Sequence, residues 1–111
     1  MDRNSQIEVP LACDLTAIAP DKRAGHQALT QRLFAAVEER QELPDGYVFR
    51  FAAEPDLLLK LAEFISLERL CCPFLQFNLI VEPDGGPFWL RLTGPAGVKQ
   101  FLLAEFGEIL P

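Results

Sequence analysis

Apolar and polar residues alternate in two stretches of the chain. From residue 7 to residue 15 every odd-numbered position is apolar or cysteine, which is the period of a strand with one buried face. Pro10 cannot donate to a sheet ladder, so we predict that this strand lies at an edge or is paired on one side only. Tyr47, Phe49 and Phe51 repeat the alternation and predict a second strand over residues 47–51.

Two other stretches place apolar residues at helical spacing. The first begins at Pro20 and is predicted to run to about residue 40, and a turn is expected over residues 43–46. Its apolar stripe consists of Leu29, Leu33, Phe34 and Val37. Another helix is predicted over residues 98–106, with Gly107 at its end.

A third helical pattern covers residues 56–71 and ends beside a pair of cysteines. Pro73 disfavours α conformation in the residue before it, so Cys72 should be extended and the helix should end at Cys71. Beyond it, residues 77–81 and 88–92 predict two strands joined by a turn-rich segment, which is typical of a hairpin.

The predicted order of elements is therefore β-α-β-α-β-β-α. Charged residues lie on the strand faces opposite the apolar ones, which favours helices on one side of the sheet only. We expect an α+β fold, a two-layer sandwich with a four-stranded mixed sheet. Val48, Ile80 and Trp89 share the second face with these charges, so an apolar strip there is a candidate homodimer surface.

Composition narrows the class of protein. The 111 residues are 50% hydrophobic and 23% charged, a globular balance that fits one domain over residues 1–111. Ten Lys and Arg against 16 Asp and Glu give a net charge of −6 with no basic cluster, which argues against a nucleic-acid partner. The absence of a signal-peptide pattern and of a long apolar run predicts a soluble cytoplasmic protein without a membrane partner. In such a reducing compartment the three cysteines are expected to be free thiols.

Five residues interrupt the pattern of apolar and polar faces. His26 falls within the apolar stripe of the helix that begins at Pro20, and Glu68 falls on the apolar face of the helix predicted over residues 56–71. Cys71 shares the side of Glu68, Cys72 leaves the helix close by, and Cys13 lies on the apolar side of the first predicted strand. All five point toward the same layer, although the sequence alone leaves open whether they meet.

Thiolates and imidazole are ligands that zinc, cuprous copper and heavier thiophilic ions prefer. Cys13, Cys71, Cys72 and His26 would complete a tetrahedral site, with Glu68 as a ligand or as the group that orients the imidazole. The negative end of a helix dipole also favours a nearby cation. It disfavours a reactive thiolate, and adjacent cysteines differ from a C-x-x-C motif, so redox catalysis has little support. The leading interpretation is a small thiol-based protein that binds a soft metal.

Two other classes of function stay open. Each cysteine can be simple core packing, His26 can bond a backbone group, and Glu68 can belong to a structural ion pair. The chain would then be a structural or protein-interaction module that dimerises through its sheet face. A third interpretation, ranked lowest, is a small-molecule enzyme with Glu68 and His26 as an acid–base pair. The sequence thus favours binding of a metal ion or small molecule over catalysis.

The segment from Glu68 to Phe74 reads E-R-L-C-C-P-F and is followed by residues 82–87 and 92–95, which are rich in Pro and Gly. It resembles a family of small uncharacterised bacterial proteins that share the signature E-x-x-C-C-P-F. The likeness extends to residues 12–17, to His26 and to residues 42–47, hence over most of the chain. The resemblance implies a bacterial cytosolic protein and carries no activity or binding residue with it.

Overall fold

The computed structural model describes residues 11–107, which form three helices and four strands preceded by a short 3-10 turn, Leu15–Ala17. In chain order the elements are α1 (Pro20–Ala35), β1 (Glu39–Leu43), β2 (Gly46–Phe51), α2 (Pro55–Cys71), β3 (Gln76–Val81), β4 (Phe88–Thr93) and α3 (Val98–Phe106). The helix predicted to end at the cysteine pair does so, and Cys72 leaves the α conformation with φ −126° and ψ 70°.

The strands form one sheet in the order β1-β2-β4-β3. Each neighbouring pair is antiparallel, so the predicted α+β two-layer architecture is confirmed while the expected mixed sheet is antiparallel throughout the described chain. In the register, Phe49 of β2 and Leu79 of β3 both lie opposite Leu90 of β4. Apolar side chains of three strands therefore share one face.

The first predicted strand is wrong over its described part. Residues 11–14 form no strand, and residues 7–10 lie outside the described residues. Leu11 and Cys13 are half-buried while Ala12 and Asp14 are exposed, so the alternation is present without a sheet partner. The alternate burial arises because this segment packs on the end of α2. There the backbone N–H of Asp14 donates to the carbonyl of Cys71 at 2.9 Å.

The fourth strand comes instead from a segment that the sequence analysis assigned to the end of α1 and the turn after it. The helix ends at Ala35, and β1 pairs with β2. The β1 sequence is E-R-Q-E-L with mostly exposed side chains, and an edge strand of this kind has no apolar alternation to reveal it. An ion pair between Glu42 and Lys99 of α3 and the stacking of Arg40 on the Tyr47 ring add side-chain contacts.

The core lies between the helices and the sheet, and aromatic rings occupy its centre. Phe34 packs edge-on against Phe49 and Phe64 and stacks on Phe106, with ring centroids 5.2, 5.6 and 4.2 Å away. Rings in these geometries contribute about 0.5–1.5 kcal/mol per pair beyond the burial of their area. They hold α1, α2 and α3 against the sheet and so set the position of the polar residues on α1 and α2.

The opposite sheet face is only partly apolar. Val48 is buried, Trp89 is half-buried and Ile80 is 42% exposed. A homodimer formed through this face stays a prediction. None of the helices in the described part of the chain has the length and apolar character needed to span a bilayer.

Two glycines offer a matched test of the packing. A Cβ on Gly46 would overlap the Leu92 carbonyl across the sheet, whereas one on Gly25 in α1 would meet no atom within 4 Å. We expect Gly46→Ala to destabilise the protein by about 1–3 kcal/mol or more, since overpacked backbone must shift. Gly25→Ala should stabilise it by about 0.5–1 kcal/mol, since a helical alanine loses less entropy. Urea unfolding of both variants measures the difference, and equal effects would contradict this register.

Candidate metal centre

The C-terminal turn of α2 brings three of the predicted residues together. Glu68 and Cys71 are three positions apart, which places their side chains on one side of the helix. The backbone N–H of Cys72 donates to the Glu68 carbonyl at 2.9 Å and ends the helix, and the Leu75 N–H donates to the Cys72 carbonyl at 3.1 Å. Both cysteines are buried, with exposed fractions of 1% and 0%.

Cys13 reaches the same point from the segment before α1 and is bonded to Cys72 in a disulfide. The Cα atoms of the pair are 5.0 Å apart, within the range that a disulfide spans. The expectation of three free thiols is therefore wrong, and Cys71 is the free cysteine of the described chain. Free thiols were expected from a reducing compartment, and a contact across 59 residues gives no local signal in the sequence.

The Glu68 carboxylate lies at the centre of the cluster. Its Oε1 atom is 2.7 Å from Nε2 of His26 and 3.5 Å from Sγ of Cys71. Its Oε2 atom is 3.4 Å from Sγ of Cys72 and 3.9 Å from Sγ of Cys13. A disulfide carries no S–H, so these last two contacts become hydrogen bonds only when the Cys13–Cys72 bond is reduced.

His26 lies behind the carboxylate. Its ring is 3% exposed and stacks on Phe64 with centroids 5.7 Å apart. A carboxylate accepts hydrogen bonds, so Nε2 donates to Glu68 and Nδ1 is the acceptor in the neutral ring. Nδ1 is buried and has no hydrogen-bond partner within the described chain.

Four side chains offer ligand atoms that all lie within 4.8 Å of one another, namely those of Cys13, Glu68, Cys71 and Cys72. The protein therefore contains a Cys/Glu cluster able to hold a metal ion. His26, the fifth predicted residue, touches this cluster through Glu68. Glu68 was expected to be a ligand or to orient the imidazole, whereas the geometry favours an imidazole that orients the carboxylate.

The electrostatic environment of the cluster is negative. Burial, and then the charge and hydrogen bond of Glu68, raise the pKa of the Cys71 thiol to about 12. Desolvation and then the Glu68 charge also raise the pKa of Glu105 on α3. Both shifts resist a further negative charge at this position, and a cation would relieve them.

A cavity of about 520 Å³ opens onto the cluster. Cys13, His26, Glu68 and Cys71 form its inner wall, and the rest of the wall consists of Leu15, Gln27, Thr30, Gln31, Ala104, Glu105 and Phe106. The sequence analysis did not single out the polar members Gln27, Gln31 and Glu105. A weak signal was present, since Thr30 follows His26 by four positions on α1 and Gln27 and Gln31 are also four positions apart.

No protein-family model, curated protein or solved structure matches the chain. The elements of the site are a disulfide, a neighbouring free thiol, and a buried carboxylate supported by an imidazole. Together they can exchange thiols and, with the disulfide reduced, could bind a soft cation.

Counting thiols tests this arrangement. The oxidised protein should show one reactive thiol after denaturation and three after denaturation with reductant. In the native state Cys71 should react with iodoacetamide far more slowly than a free cysteine does, because the reactive form is the thiolate and its pKa is about 12. Mass spectrometry of alkylated peptides measures both results. Three thiols without reductant, or rapid native labelling of Cys71, would contradict the cluster as described.

Proposed function

We propose that the chain, once the Cys13–Cys72 bond is reduced, binds one soft metal ion through Cys13, Cys71, Cys72 and Glu68. The observation that supports this proposal is the convergence of the four ligand atoms within 4.8 Å. They come from two segments 55 to 59 positions apart in sequence. In this arrangement His26 orients the carboxylate, as outer residues commonly do in metal sites.

The distances suit a tetrahedral site. Zinc bonds of about 2.3 Å to sulfur and 2.0–2.2 Å to oxygen give ligand-to-ligand separations of about 3.4–3.8 Å. The Sγ atoms of Cys71 and Cys72 are 3.6 Å apart, and each lies 3.4–3.5 Å from the nearer carboxylate oxygen of Glu68. The bonded sulfurs of Cys13 and Cys72 have to separate, which reduction permits, and the ligand atoms, now up to 4.8 Å apart, have to close around the ion.

The donor set narrows the choice of ion. Three thiolates select zinc, cuprous copper or a heavier thiophilic ion, while a carboxylate oxygen suits zinc better than cuprous copper. Metal binding would have to displace the proton of Cys71, which is a normal part of thiolate coordination. We place zinc first and test cuprous copper and cadmium beside it.

The proposal gives a chemical meaning to the sequence signature. Glu68, Cys71 and Cys72 of the E-x-x-C-C-P-F segment would supply three of the four ligands. We propose that the chain belongs to the bacterial family with this signature, and that metal binding is a property of the signature. Because metal binding requires free thiols, a reducing compartment such as the cytoplasm is part of the proposal.

The test uses untagged protein that has been reduced and then freed of reductant without oxygen. We expect it to bind one equivalent of zinc or cadmium, and a cobalt-loaded sample should show thiolate charge-transfer absorption. Cys13→Ser, Cys71→Ser and Cys72→Ser should each weaken binding by at least about 100-fold, and His26→Gln by about 10–100-fold. Competition with a chromophoric chelator measures these affinities.

Two glutamates on α2 provide a matched control. Glu68→Gln replaces a buried proposed ligand, while Glu63→Gln makes the same chemical change at an exposed position of the same helix. Only Glu68→Gln should weaken metal binding. If the reduced protein binds neither zinc, cadmium nor cuprous copper, or if all cysteine variants bind as tightly as the original chain, the proposal fails.

A further inference from the structure

The two sulfurs of the disulfide differ in access. Cys72 is completely buried and is absent from the wall of the 520 Å³ cavity, whereas Cys13 is half-buried and lines that cavity. A nucleophile that enters from the cavity therefore meets Cys13 and not Cys72. Thiol–disulfide exchange depends on which sulfur can be reached, so this asymmetry sets the site of attack.

The cavity has the size and lining of a small-molecule site. Its volume falls within the roughly 300–1,000 Å³ typical of such pockets. Gln27, Thr30 and Gln31 of α1 supply polar groups along one wall. At the inner end lies His26, which is 3% exposed and whose Nδ1 has no partner within the described chain. A buried ring nitrogen without a partner costs free energy, so His26 adds to this end of the cavity a polar group whose hydrogen bonding is incomplete.

The charge of the cavity wall further narrows the choice of ligand. Two carboxylates line the cavity: Glu68, which His26 partners, and Glu105. No Lys or Arg belongs to the described lining. An anionic ligand is therefore repelled, while an uncharged or cationic one is accepted.

We propose that this cavity binds an uncharged or cationic low-molecular-weight thiol, which reduces the disulfide by attacking Cys13. The inference deepens the proposed function and rests on it for its biological meaning, since the metal ligands become free only after reduction. The recessed position of Cys13 is the reason for choosing a small thiol over a protein dithiol as the reductant.

The reaction balances in two steps. The incoming thiol loses its proton and its sulfur bonds to Sγ of Cys13, while the Cys13–Cys72 bond breaks and its electron pair, with a proton, stays on Cys72. A second thiol then attacks the small-molecule sulfur of this mixed disulfide. This attack releases Cys13 as a thiol, which takes the proton of the second small thiol. The two small-molecule sulfurs leave bonded to each other as the oxidised dimer. Two small thiols are oxidised for each protein disulfide reduced.

The experiment treats the oxidised full chain with three thiols of similar size: cationic cysteamine, uncharged 2-mercaptoethanol and anionic 3-mercaptopropionate. Rates are compared at equal thiolate concentration, and acid-quenched samples are mapped by mass spectrometry. We expect the mixed disulfide on Cys13 and not on Cys72. Cysteamine should react about three- to tenfold faster than 3-mercaptopropionate, as expected for one or two nearby carboxylates.

Surface variants distinguish a reaction that passes through the cavity from a general reactivity of the disulfide. Glu105→Gln should narrow the gap between cysteamine and 3-mercaptopropionate, and Glu63→Gln, outside the cavity, should leave it unchanged. Gln31→Trp at the exposed rim should slow all three thiols by about tenfold by blocking access, whereas Gln100→Trp on α3, which does not line this cavity, should not.

The proposal is overturned by adducts that form mainly on Cys72, by equal rates for the three thiols, or by an unchanged rate in Gln31→Trp. Reduction by a protein dithiol alone, with no small-thiol adduct, would also overturn it. None of these readouts involves a metal. A failure of metal binding and a failure of the thiol site can therefore be told apart.

Discussion

The candidate site depends on one buried hydrogen bond, between Nε2 of His26 on α1 and Oε1 of Glu68 on α2. Both residues are almost completely buried, so an unpaired partner would cost several kcal/mol. The bond ties the two helices together, with the His26 ring also stacked on Phe64, and it fixes the direction of the carboxylate. Because Glu68 is held in this way, its oxygens face the sulfurs of Cys13, Cys71 and Cys72.

Helical periodicity identified the important polar residues because a helix has a strict geometry. An angle of 100° per residue places His26 and Glu68 on inward faces, and the structure shows both buried. Pro73 in the same way located the end of α2, and with it the place where Cys71 and Cys72 diverge. The positions of these residues follow from helix geometry and from the conformational effect of proline, so they could be predicted from the sequence.

Long-range pairing left no such signal. The strand Glu39–Leu43 is mostly exposed and polar, and it forms because its backbone pairs with β2. Its side chains therefore show no alternation of apolar and polar residues that would predict a strand. The segment around Cys13 alternates like a strand although it packs on the end of α2, because alternate burial needs an extended chain and not a sheet. The Cys13–Cys72 bond lies at the second of these places, where the extended segment meets the end of α2 across 59 residues.

The buried carboxylate supports the proposal that the cluster has an oxidised state with the disulfide and a reduced state without it. A disulfide that only braces the fold is best surrounded by apolar groups, because sulfur atoms without protons offer a carboxylate nothing in return for its lost hydration. In the oxidised protein Glu68 has donors in His26 and Cys71, and its Oε2 atom faces two sulfurs that cannot donate. Reduction turns these sulfurs into donors, and a metal ion would turn all four groups into ligands. His26 and Cys71 offset part of the cost of burying Glu68 in the oxidised protein, and the proposed reduction would add donors or a cation at Oε2.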